Sequence, residues 1–119
     1  MTGFFIGNRP VINLTLQNNH LIPCVVDTGF SGGLILSNDN IEQASLDWVG
    51  NEIVTLADGS TTSLPAFLCE IEWFNEIIKV QVLGVNSKEN LIGMRLLLKT
   101  KIEIEPLNEL VRITKLGKQ

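Results

Sequence analysis

Apolar residues in this chain recur at every second position in short runs, and Gly, Asn, Asp and Pro interrupt the runs before they reach helical length. A period of two suits a strand, whose successive side chains point to opposite faces; a helix needs a period of 3.6. Val11-Ile12-Asn13-Leu14-Thr15-Leu16-Gln17 is the clearest case, with Ile12, Leu14 and Leu16 sharing a face. Asn18-Asn19-His20 reads as a turn. Residues 21–26 read as a second, more fully apolar strand, which Asp27-Thr28-Gly29 ends sharply. Gly32-Gly33 and the short apolar run Leu34-Ile35-Leu36 follow.

Only two segments suggest helix. Residues 37–48 place Asp39 three positions before Glu42, which resembles a capping arrangement, with Ile41, Ala44 and Leu46 as a short buried side. The end of Leu91-Ile92-Gly93-Met94-Arg95-Leu96-Leu97-Leu98 suits one further turn. Elsewhere the pattern predicts hairpins. Residues 52–56 and 62–67 flank Asp58-Gly59-Ser60, and Asp-Gly between extended runs favours a tight turn because Gly accepts positive φ. Residues 67–73 and 77–83 form a second hairpin joined through Phe74-Asn75-Glu76, and residues 86–90 read as a polar loop. Lys101-Ile102-Glu103-Ile104-Glu105 alternates again, with the glutamates expected on a wet face. Residues 110–116 suit a last strand, while the role of 106–119 stays open between an added dimer strand and a tail. Trp48 and Trp73 are expected in the core or a dimer contact.

At 119 residues the chain is expected to form one domain, 1–119, with no room for two cores. It is 45% hydrophobic and 18% charged, an apolar balance compatible with a second subunit covering part of its surface and equally with a compact monomer. Its net charge of −4 and lack of basic runs argue against nucleic acid. No apolar stretch approaches the roughly 18 residues needed to cross a bilayer, so no membrane association is expected. The N-terminus lacks the features of a signal peptide, and Cys24 and Cys69 lack zinc-ligand spacing, so both thiols are expected reduced and buried in a cytoplasmic protein. His20, the single histidine, lies in an Asn-rich turn and is expected at the surface. A Cys24–His20 nucleophilic pair has no supporting motif.

The stretch that carries chemistry is Val25-Val26-Asp27-Thr28-Gly29-Phe30-Ser31. An Asp-Thr/Ser-Gly tripeptide alone is weak, since chance supplies one in roughly one of twenty chains this long. Its setting is stronger: an apolar strand precedes it, a glycine-containing hairpin follows, and Leu91-Ile92-Gly93 then leads into a Leu-rich turn. This order resembles the retropepsin-like aspartic proteases, and Asp-Thr-Gly-Phe-Ser-Gly over residues 27–32 is similar to their small prokaryotic branch. The resemblance runs from roughly residue 10 to residue 105, nearly a whole domain.

It implies an all-β fold: a closed antiparallel barrel of the acid-protease type with one or two short helices, acting as a homodimer on a peptide or protein substrate. Asp27, Thr28 and Gly29 would be catalytic. Asp58, Gly59 and Ser60 would form a flap, with Phe30 and Leu56 as pocket walls. Ile92 and Gly93 would pack behind the active-site loop. No metal or cofactor is implied. The chemistry suits these residues, because two carboxylates about 3 Å apart share one proton: the ionised member accepts a proton from water and the other polarises the scissile carbonyl. Because the motif occurs once, the dyad requires Asp27 from each of two copies. One departure is Arg95, where relatives usually carry Asp or Asn. The alternatives are a catalytically inactive dimeric peptide-binding or assembly module, and a monomeric all-β binding domain in which Asp27 only shapes a turn.

Overall fold

The computed structural model describes residues 1–117. In chain order the elements are β1 (Thr2–Ile6), β2 (Arg9–Leu16), β3 (His20–Val26), β4 (Leu34–Ser37), α1 (Asn38–Gln43), β5 (Asp47–Thr55), β6 (Thr61–Trp73), β7 (Glu76–Val85), β8 (Leu91–Ile92), α2 (Met94–Leu97), β9 (Thr100–Glu105) and β10 (Leu110–Lys115). They join one sheet in the order β5-β6-β7-β4-β8-β3-β2-β1-β10-β9. A further pairing of β2 with β6, at Leu16↔Ile71, links the six strands β2, β3, β8, β4, β7 and β6 into a closed circuit.

Closure is not purely antiparallel: β3 with β8 and β4 with β7 run parallel. The consequence is positional. Parallel strands finish at the same end, so the residues after Val26 and after Ile92 emerge side by side. β8 also pairs antiparallel with β4, Leu34↔Ile92, which brings the start of β4 to the same place. The loop from Asp27 to Gly33 is thereby wrapped around the end of β8.

The core follows the alternation. Ile12, Leu14 and Leu16 of β2 face Ile22, Cys24 and Val26 of β3, with Leu34, Ile71, Val82, Ile92 and Ile113 packed among them. Each such side chain contributes about 1.5–3 kcal/mol by leaving water. β3 is nevertheless less buried than its composition suggested. Leu21 is 60% exposed, on the face of β3 opposite the buried Ile22 and Cys24.

Other expectations are met in part. The first helix, Asn38–Gln43, has the one or two turns expected of it, but its cap is Ser37, not Asp39: the Ser37 Oγ accepts the Asn40 N–H at 3.3 Å. Ser45, at φ 57°, breaks the chain out of helix, and Trp48 lies in β5, largely exposed, whereas Trp73 is buried. Residues 62–67 and 67–73 are one continuous strand, β6. Pro65 interrupts nothing, since β7 pairs with β6 only from Ala66 onward. β1, which carries no clear alternation, is held between β2 and β10. Residues 106–108 form a 3-10 turn and β10 pairs on both sides, so it is neither a tail nor a strand free for a partner; residues 118–119 lie outside the described residues.

Candidate active site

Asp27 is positioned by backbone before any side chain acts. Its N–H donates to Ile92 C=O at 2.9 Å, extending the β3–β8 pairing one residue past Val26, and Val25 N–H donates to Asn90 C=O at 2.8 Å. The Asp27 carboxylate then turns back on the chain, with Oδ1 accepting the Gly29 N–H at 2.9 Å. Phe30 N–H closes the turn on Asp27 C=O at 3.2 Å. Oδ2 has no hydrogen-bond partner among the described residues. The geometry is thus an Asp turn with one carboxylate oxygen held and the other open.

The far side of the loop is fastened to the Ile92-Gly93 segment. Gly93 N–H donates to Gly33 C=O (2.8 Å), Met94 N–H to Phe30 C=O (2.8 Å) and Arg95 N–H to Gly32 C=O (3.0 Å). The approach is so close that a Cβ on Gly93 would stand 2.3 Å from the Gly32 carbonyl oxygen and 2.4 Å from the Phe30 ring. Glycine is required here for space, since nothing else lets two backbones approach this closely. Ile92 is fully buried beneath.

A second fastening was not legible in the sequence. Asn90, read there as part of a polar loop, is buried and satisfies three groups. Its Oδ1 accepts the Ser37 N–H (3.0 Å) and the Asn40 Nδ2 (3.1 Å), and its Nδ2 donates to Pro23 C=O (3.1 Å). Asn40 Oδ1 lies 2.9 Å from His20 Nε2, so His20 is half-buried in this network rather than free at the surface. Cys24 is fully buried, and burial pushes its thiol up to about 12; that leaves no thiolate for catalysis.

A cleft of about 320 Å³ opens beside the loop, lined by Gly29 and Phe30, by Ile53, Val54 and Thr55 of β5, and by Arg95 among others. Two further lining residues, Glu52 and Gln81, join across it by a 2.9 Å bond from Gln81 Nε2 to Glu52 Oε2. Asp27 and Thr28 are not in the lining, and the exposed Thr28 hydroxyl has no partner among the described residues. Leu56 and the turn Asp58-Gly59-Ser60 lie beyond the lining, at the exposed tip of the β5–β6 hairpin. There Asp58 Oδ1 accepts both the Ser60 N–H (2.9 Å) and its hydroxyl (2.5 Å). Those bonds from Ser60 hold the Asp58 carboxyl below its ordinary value. Arg95 is exposed and forms no ion pair among the described residues.

No protein-family model matches the chain, and no curated protein matches its sequence. Its fold does match solved structures. One is EIAV protease complexed with the inhibitor HBY-793, with a TM-score of 0.65 over 79% of this chain and 89% of that one, at 14% sequence identity. The fold is retropepsin-like, that of a retroviral aspartic protease, and at this identity the likeness is one of fold.

Proposed function

We propose that the chain is a homodimeric aspartic endopeptidase that acts in the cytoplasm without metal or cofactor. The observation that carries the reading is Asp27: in a retropepsin-like fold, its backbone is pinned to β8, one carboxylate oxygen is held by Gly29 and the other is open. A two-fold copy would bring a second Asp27 alongside. Held together away from bulk water, the two carboxylates would share one proton. The ionised one removes a proton from water as the oxygen attacks the peptide carbonyl; the protonated one donates to the developing oxyanion. The nitrogen then takes a proton and leaves as the amine. Thr28 would fasten one loop to the other, and Gly29 would admit the substrate backbone. An extended peptide would lie between this loop and the β5–β6 hairpin, with Phe30 and Leu56 as pocket walls and Asp58, Gly59 and Ser60 as flap.

Incubation of the dimer with an apolar peptide library tests this directly. Cleavage is expected, and Asp27→Asn is expected to lower it by about 10²–10⁴-fold while leaving the protein folded and dimeric. Cleavage that survives Asp27→Asn unchanged would sink the dyad. The second reading, a dimeric peptide-binding or assembly module without catalysis, draws on Arg95, a cation lining the cleft with no acid paired to it among the described residues. It would show itself as peptide binding with no hydrolysis from mildly acidic to neutral pH.

A further inference from the structure

The two edges of β7 are covered unequally. β6 accompanies it from Glu76 to Leu83, whereas β4 joins its other edge only from Val82 onward. Among the described residues no strand lies beside that second edge from Glu76 to Gln81. One side-chain bond shows which backbone groups are left there. Glu70 N–H donates to Gln17 Oε1 at 3.0 Å, on the β2 side of β6 and away from β7. Glu70 is therefore at a non-hydrogen-bonded position opposite Lys79, and antiparallel alternation puts Ile77 at another. The N–H and C=O of Ile77 and Lys79 thus point out of the sheet, and no backbone group meets them among the described residues. An edge open in this way recruits extended chain.

A groove of about 450 Å³ runs along this edge, between it and α2. Its apolar lining comes from Trp73, Ile78 and Val80 on the sheet side and from Leu96 and Leu98 on the helix side. The helix side is fastened with nothing bound: Arg95 N–H donates to Gly32 C=O at 3.0 Å, and the Thr100 hydroxyl donates to Leu97 C=O at 2.6 Å. Three cations, Lys79, Arg95 and Lys99, also line the groove, and no acid does. None of the three forms an ion pair among the described residues. Glu76, at the head of the same edge, is already taken by Lys115 at 3.2 Å. In a chain of net charge −4, three unpaired cations around an apolar floor select an anionic guest.

We infer that this groove binds an extended peptide segment of alternating acidic and apolar residues, added as a strand beside β7. Backbone bonds to Ile77 and Lys79 hold the segment. Its successive side chains point to opposite faces, so one set seats on the apolar floor while the other carries carboxylates to the cations. The groove adjoins the Asp27 cleft, sharing Gly33, Leu34, Gln81 and Arg95 with it, but its open strand edge and two of its cations lie outside that cleft. The inference goes beyond the protease reading and does not depend on the dyad.

Amide hydrogen exchange with three synthetic hexapeptides provides the test: acetyl-Val-Glu-Val-Glu-Val-Glu-amide, its counterpart with lysine for glutamate, and an N-methylated copy of the first. In the free chain Ile77 and Lys79 should exchange fast, and Ile78 and Val80 slowly. The acidic peptide should slow the first two about tenfold or more, and the other two peptides should not. Lys79→Glu combined with Lys99→Glu, both at exposed positions, should weaken the acidic peptide about tenfold or more and admit the lysine peptide. Slow exchange at Ile77 and Lys79 without peptide would mean the edge is already covered, by this chain or a second copy, and overturns the site. An N-methylated peptide that binds as tightly as its parent makes the groove a site for any amphiphilic anion and overturns strand addition. Equal binding of the acidic and basic peptides, or protection confined to β5 and the Asp27 loop, overturns the proposal as well.

Discussion

Asp27 and Asp58 make the same turn in two different settings. Each accepts the N–H of the residue two positions on at 2.9 Å through Oδ1. Around Asp27 the backbone is bonded on both flanks to the Ile92-Gly93 segment, and a buried asparagine sits behind it. Around Asp58 the bonds are all local, between residues 56 and 60, and every residue from Thr55 to Ser63 is exposed. The same local chemistry therefore serves a rigid platform at one site and a hairpin tip with little to restrain it at the other. Segments with few buried contacts open at low free energy, as the flap role proposed for this hairpin would require.

The contrast can be broken or sharpened by substitution. The largest change in stability is expected at Asn90→Leu, which keeps the volume but strands the buried Ser37 N–H and the partly buried Pro23 C=O. It should cost about 3 kcal/mol in a denaturant titration, and a change near zero would show that the platform does not depend on this network. Gly93→Ala comes next at about 2 kcal/mol, because the new methyl group meets carbonyl oxygens that cannot move without displacing the Asp27 loop. Cleavage should fall with it. Gly59→Ala makes a matched control in the hairpin. No atom lies within 4 Å of the added Cβ, but φ is +87°, so only conformational strain of about 1 kcal/mol is expected. A Gly59→Ala loss as large as that at Gly93 would erase the distinction between the two regions.

The smallest effect concerns acid. The folded Asp58 carboxyl titrates below its ordinary 3.8, so its bonds support the turn above that value and are lost as pH falls through the lower, folded one. The Ser60 amide resonance should therefore move in the window below pH 3.8, while overall stability scarcely responds to this one exposed group. An amide that does not titrate there would show that the turn needs no charge on Asp58.

The chain alone specified the strands of regular alternation, β2 and β9 among them, the Asp-Gly hairpin, and the likeness that picked out Asp27 and Ile92-Gly93. All of these are local signals, readable because side-chain period and turn chemistry act over a few residues. Only the tertiary structure decided the parallel pairing of β3 with β8, which brings Asp27 beside Gly93. The same holds for the conversion of Asn90 from a loop residue into a buried anchor, and for the open edge of β7 beside α2. Long-range pairing depends on which backbone groups the rest of the fold leaves unsatisfied, and no short stretch of sequence records that.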